Sequence, residues 1–133
     1  MTTRPHVLHT VLVLAVGLGA PAGAHHSLAA GFDVTKTVKM SGVVKDMKWT
    51  NPHSWLTIEV KDDGGSVVPW EIEFGTPNAL YRNGWRRDDL PVGTTLTITG
   101  YPARDGSKQV AATSVKLPDG RTLFSGQNDN AGR

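Results

Sequence analysis

The stretch Ser54–Phe74, SWLTIEVKDDGGSVVPWEIEF, decides the fold class. Leu56, Ile58 and Val60 alternate with Trp55, Thr57 and Glu59, the period-two pattern of a half-buried strand. Asp62-Asp63-Gly64-Gly65 then supplies residues that accept the positive φ of a tight hairpin turn. From Val67 the alternation resumes, with Trp70, Ile72 and Phe74 on one face and Glu71 and Glu73 on the other. The segment therefore reads as an antiparallel hairpin. Glu71 and Glu73, beside Glu59, read as a solvated strand face, although three neighbouring carboxylates also suit a cation or acid–base work.

The same rhythm extends outward on both sides. Upstream, Val38, Met40, Gly42 and Val44 share a face opposite Lys39, Ser41 and Lys45, giving a strand that runs to about Trp49. Gly42 suits a bend or bulge where a long strand curls. Thr50-Asn51-Pro52-His53 ends that strand, because proline cannot continue a central strand and Asn-Pro marks a turn. Downstream, Gly75 to Leu90 loses the alternation. Thr76 as N-cap, Pro77 at the first helical position and Gly84 at the end predict a short helix, with Leu80 and Trp85 packing under the barrel. Thr94 to Ala103 is a fourth strand with Leu96 and Ile98 inward, and Arg104-Asp105-Gly106-Ser107 is a turn. Lys108 to Leu117 is a fifth, whose change of apolar parity after Ala112 predicts a bulge. A short tail strand follows near Thr122 to Phe124. Strand, strand, strand, helix, strand, strand is the element order of an all-β, five-stranded OB-like Greek-key barrel with one short helix between strands 3 and 4. A β-sandwich, with its usual seven strands, fits less well.

The first 24 residues follow other rules. A short polar start carrying Arg4 precedes the unbroken apolar run Val11–Ala20, and Pro21-Ala22-Gly23-Ala24 closes it with small residues. This order predicts a cleaved secretory signal peptide over residues 1–24, and hence a periplasmic or secreted protein. A run of roughly ten apolar residues is half of what a spanning helix needs, so no membrane anchor is expected after cleavage. The expected organisation is then a leader over 25–37, the barrel domain over 38–125 and a disordered tail over 126–133. With no cysteine anywhere, neither disulfides nor a lipidated new N-terminus are available, and an apolar core must hold the domain.

Charge narrows the partners. Removing residues 1–24 takes away one of the 14 basic side chains and none of the 12 acidic ones, leaving a formal charge of +1. A near-neutral surface gives no electrostatic reason to expect nucleic acid or acidic lipid. Motifs of catalysis are missing as well: there is no G-x-S-x-G, no H-E-x-x-H and no phosphate-cradling glycine loop. Ser54 follows His53 directly, but neighbouring strand residues point to opposite sides and do not form a catalytic pair. The expectation is a binding protein and not an enzyme.

The histidines give that expectation a location. His6 and His9 leave with the signal, so His25, His26 and His53 are the histidines of the mature chain. Cleavage after Ala24 makes His25 the first residue, whose amine and ring nitrogen chelate one ion with His53 as a third nitrogen, an arrangement that suits copper. Cleavage after Ala22 instead places His25 third from a free amine, which binds Cu(II) in a square plane. Zinc is less well served, because a fourth ligand is not evident. A structural role competes with both: His25-His26 as a solvated leader, His53 as a hydrogen-bonding residue of a tight turn. Trp70 and Trp85 read mainly as core or barrel plug, while Trp49 and Trp55 flank the turn and either cap the barrel or line a groove. Trp49, Asn51, Trp55 and Trp70 are thus the candidates for a second function, a module that holds a protein or envelope component through the face of strands 2 and 3.

Several of these residues recur together. His25-His26-Ser27, Phe32-Asp33, Gly42-Val43-Val44, Trp49-x-Asn51-Pro52-His53, Trp70-Glu71 with Glu73, Gly84-Trp85 and Gly100-Tyr101-Pro102-Ala103-Arg104-Asp105-Gly106 give the chain its character. In these it resembles the small secreted bacterial proteins of the domain-of-unknown-function 6152 family, over nearly the whole mature chain. The resemblance implies export and a compact β domain, and it supplies no catalytic residues.

Overall fold

The computed structural model of the protein describes residues 28–127. The expected signal peptide, His25, His26 and the last six residues of the tail lie outside the described residues. A one-turn helix, α1 (Leu28–Gly31), leads into β1 (Val38–Lys48), β2 (Ser54–Lys61) and β3 (Val67–Phe74). Helix α2 (Pro77–Arg82) and a 3₁₀ turn (Arg87–Asp89) follow, then β4 (Thr95–Pro102), β5 (Gln109–Lys116) and β6 (Thr122–Phe124). The sheet order is β3-β2-β1-β4-β5-β6, and a parallel pairing of β3 with β5 closes the first five strands into a barrel. This is the all-β, OB-like barrel that the element order predicts.

Local chemistry accounts for the elements. The β2–β3 hairpin turns on Gly65 at φ 82° and is clamped by the Ser66 amide donating to the Asp62 carboxylate at 2.8 Å. Its register, from Lys61 opposite Val67 to Ser54 opposite Phe74, is unbroken. Helix α2 begins at Thr76, whose hydroxyl accepts from the Ala79 amide, with Pro77 as its first residue; Gly84 at φ 90° turns the chain away. The parity change after Ala112 is a bulge. Thr99 faces Ser114 but Gly100 faces Ala112, leaving Thr113 as the extra residue, its hydroxyl donating to the Thr99 carbonyl.

Two further irregularities let β1 and β4 serve both halves of the barrel. β1 pairs with β4 through its first half and with β2 through its second, with a register shift between Val44 and Asp46. At Gly42 an added Cβ would stand 2.8 Å from Ile58 Cδ1, so only glycine lets the strands approach this closely. Gly100 is tighter still, 2.2 Å from the Ala111 carbonyl oxygen.

Val44, Leu56, Ile58, Ile72, Phe74, Leu96, Ile98, Val110 and Val115 fill the barrel. Leu80 from α2 and Trp85 close one end, both fully buried. The Trp85 ring meets Phe74 edge-to-face at 5.0 Å, and its Nε1 donates to the Phe124 carbonyl at 2.7 Å, which ties the plug to β6. The leader is more regular than expected. Phe32 is buried and bridges to Ala103, the Asp33 amide donates to the Pro102 carbonyl, and Arg104 donates to the carbonyls of Gly31 and Ala29. The chain thus enters the barrel pinned to the β4–β5 turn.

Candidate functional site

The plugged end of the barrel is also where the Trp49-Thr50-Asn51-Pro52-His53 turn lies. The Asn51-Pro52 peptide is cis. The Thr50 hydroxyl donates to the His53 carbonyl at 2.7 Å, which closes the turn on itself. Immediately after it, the Ser54 amide donates to the Gly75 carbonyl, fixing His53 beside the end of β3.

The His53 ring is half-exposed, and among the described residues its polar contacts fall on Nδ1. That nitrogen is 3.3 Å from the Phe74 carbonyl oxygen and 2.9 Å from Glu73 Oε1. Glu73 itself is 9% exposed. The expected grouping of Glu59, Glu71 and Glu73 on a solvated face therefore does not hold. Each carboxylate has its own partner: Glu59 pairs with Lys45 at 3.1 Å, Glu71 accepts from the Thr57 hydroxyl at 3.0 Å, and Glu73 meets His53. Glu73 is buried because β3 is not an edge at this point. It lies between Trp55 on β2 and Ala111 on β5, both in direct register. Burial pushes its carboxyl above the ordinary glutamate range, and the charge of a protonated His53 pulls it partly back.

Ser54 is fully buried on the inner face, and its hydroxyl has no hydrogen-bond partner among the described residues. It points away from the half-exposed His53, as the strand alternation requires.

Trp49 is partly buried among three neighbours. Tyr81 stacks on it at 5.4 Å with an interplanar angle of 13°, Trp85 meets it edge-on at 6.4 Å, and the Arg87 guanidinium stands 5.3 Å from its ring centre. These contacts make Trp49 a cap on the plug. Tyr81 and Arg87, which carry no motif of their own, complete it. Asn51 is exposed at the turn, Trp55 is half-buried on the outer wall opposite Glu73, and Trp70 lies partly against the core with the Lys108 ammonium over its ring at 5.1 Å. The four candidate ligand residues are thus distributed: Trp55 is next to the His53–Glu73 pair, Trp49 is in the cap, and Trp70 is farther along β3.

Sequence reading located His53 but missed Glu73 as its neighbour. The signal was present in the hairpin: a tight turn over 62–65 sets the register, and the register puts Glu73 opposite Trp55, at the start of β2. Among the described residues no three histidine or carboxylate side chains gather as a complete metal cage. His53 is the one candidate metal ligand within the described residues; the other two, His25 and His26, lie outside them.

No curated protein matches this chain. Residues 13–112, a span that takes in the His25-His26 segment, the Asn-Pro-His turn and Glu73, match the family of unknown function DUF6152, and the chain belongs to that family.

Proposed function

We propose that the protein is an exported binding module that holds a copper ion, with His53 supplying one imidazole and the His25-His26 segment the remaining nitrogens. The observation that carries this reading is the state of the His53 ring. Its Nδ1 faces a backbone carbonyl and a buried carboxylate, and the side chain is 42% exposed. Metal-binding imidazoles are held in this way, through the nitrogen that does not bind the ion. An all-nitrogen ligand set favours copper over harder cations.

The route of the leader is compatible with this. Phe32 bridges to Ala103, the Ala103 amide donates to the Gln109 carbonyl, and Gln109 is in register with Glu71, two residues from Glu73. The role we propose is binding; the Ser54 hydroxyl, next to His53 in the chain, is buried inside the barrel.

Titration of the mature protein with Cu(II), followed by absorbance and EPR, tests the proposal. We expect a one-to-one complex with nitrogen ligands whose affinity drops at least about tenfold in His53→Ala, or about 1.4 kcal/mol. Affinity unchanged by that substitution refutes it. The intact mass of protein recovered from the periplasm shows whether the chain starts at Gly23 or His25, and an uncleaved mass refutes export.

A second reading is favoured by Trp55, half-buried on the outer wall of β2 and β3 beside the same pair. In it, that wall holds a protein or envelope component. Capture from envelope extract that survives a chelator and is lost in Trp55→Ala would select this reading over copper.

A further inference from the structure

We infer that His53 is locked as the Nδ1–H tautomer by the Phe74 carbonyl and the Glu73 carboxylate, so that Nε2 is the only ring atom it can offer to a ligand. The inference rests on the metal-binding reading for its purpose, but not for its content, which concerns the metal-free protein.

The argument starts from what each neighbour of Nδ1 can do. A neutral imidazole has one N–H and one lone pair, and the hydrogen bond at either nitrogen selects which is which. At 3.3 Å, the Phe74 carbonyl oxygen can only accept. At 2.9 Å, Glu73 Oε1 accepts as a carboxylate, and donates only if the acid is protonated. A lone pair on Nδ1 would therefore face one oxygen that can never satisfy it. An N–H on Nδ1 satisfies the carbonyl and lies beside the carboxylate at the same time. The carbonyl decides the tautomer, and the carboxylate adds to the preference through its charge.

Several features hold this geometry in place. The Phe74 carbonyl belongs to the end of β3, next to Gly75, whose own carbonyl is tied to the Ser54 amide. Glu73 is nearly buried between Trp55 and Ala111, so its carboxylate has little room to swing away. The Thr50 hydroxyl, donating to the His53 carbonyl, holds His53 from its own side. Ring and acceptors are thus fixed from separate strands, which is how a ligand atom is preorganised. The matching ligand is a borderline transition-metal ion that accepts an unprotonated imidazole nitrogen, such as Cu(II), Ni(II) or Zn(II), and not a hard cation such as Ca²⁺ or Mg²⁺.

Glu73 is a positioning residue in this arrangement, since it would touch the ring and not the ion. Nitrogen-15 NMR of the metal-free protein, at a pH where the ring is neutral, reads the tautomer directly from the two-bond correlations of the His53 ring. The wild type should show Nδ1–H as the major form, whereas a solvated histidine favours Nε2–H. In Glu73→Ala the ratio should move toward Nε2–H by about tenfold, the size of a hydrogen bond to a charged group. Glu73→Gln, which retains an accepting oxygen, should restore much of the wild-type ratio. A wild type dominated by Nε2–H overturns the inference. An unchanged ratio in Glu73→Ala, with the fold intact by amide spectrum, overturns the role of Glu73. Because no metal is present, these outcomes are independent of the copper titration: a correct tautomer in a protein that binds no copper would sink the metal-binding reading alone.

Discussion

His53 and Glu73 stand on opposite arms of one hairpin, and the residue-scale chemistry of the protein is concentrated where they meet. Either side chain alone is unremarkable in type. Their value comes from the sharing of Nδ1 between a carbonyl and a buried carboxylate, while the other ring nitrogen has no hydrogen-bond partner among the described residues. The opposite case is Asp33 in the leader, a partly buried carboxylate held by short-range contacts. It accepts from the Thr35 hydroxyl at 2.6 Å and the Thr35 amide at 3.2 Å, with Lys36 3.3 Å away. The Thr35 hydroxyl first, then the lysine and the amide, hold its carboxyl below the ordinary aspartate range. A depressed folded-state value means that its contribution is present above the ordinary range and is lost as pH falls through the lowered one. The Thr35 amide proton should therefore titrate with a midpoint below about 3.9, the ordinary aspartate value. A midpoint at or above that value, read by proton–nitrogen NMR, would contradict the Asp33 geometry. At this scale sequence was a partial guide. It singled out His53 from its turn, but alternation alone assigned Glu73 to water, because a period of two cannot tell a wall strand covered on its outer face from one that is not.

The elements of the barrel meet at glycines, and the glycines differ in what they touch. An alanine Cβ at Gly100 would stand 2.2 Å from the Ala111 carbonyl oxygen and 2.7 Å from Val110 Cγ1, atoms near the start of β5, where it pairs with both β3 and β4. At Gly75 it would stand 2.4 Å from the Gly126 carbonyl oxygen, in the segment that follows β6. A strand paired on both sides cannot step back, whereas the irregular segment after β6 is held by fewer backbone bonds. Gly100→Ala should thus cost about 3 kcal/mol or more in urea unfolding. Gly75→Ala should cost about 1 kcal/mol, with the loss appearing as faster hydrogen exchange at Ser125, whose amide is bound to the Thr113 carbonyl. Equal losses at the two positions would show that the segment after β6 is as fixed as the wall. The elements themselves were the most legible level. The bounds of β2 and β3, the cap and start of α2, and the bulge at Thr113 all follow from local residue pattern, because each is set by neighbours within a few positions along the chain.

At the scale of the whole molecule, closure depends on contacts that no local pattern announces. β3 and β5 pair in parallel through Glu71, Ile72 and Glu73 against Gln109, Val110 and Ala111. Trp85 then seals the end, stacked edge-on to Phe74 and donating to the Phe124 carbonyl. Replacing this fully buried ring leaves a cavity against several strands at once. Trp85→Ala should lower stability by about 3–5 kcal/mol in chemical denaturation, and a loss under about 1 kcal/mol would show that the plug is not part of the cooperative unit.

The amino-acid order by itself determined the class of the fold, the number and order of its strands, the helix between β3 and β4, and the turn that carries His53. These properties depend on alternation, caps and turn residues, all of which act between near neighbours. Only the tertiary structure decided that β3 joins β5, that Glu73 is thereby covered and set against the His53 ring, and that Trp49 is spent in a stack with Tyr81 and Arg87. The reason is that burial and side-chain contact across a closed barrel are set by which strands become neighbours. That choice minimises exposed apolar surface and unpaired backbone over the whole chain at once.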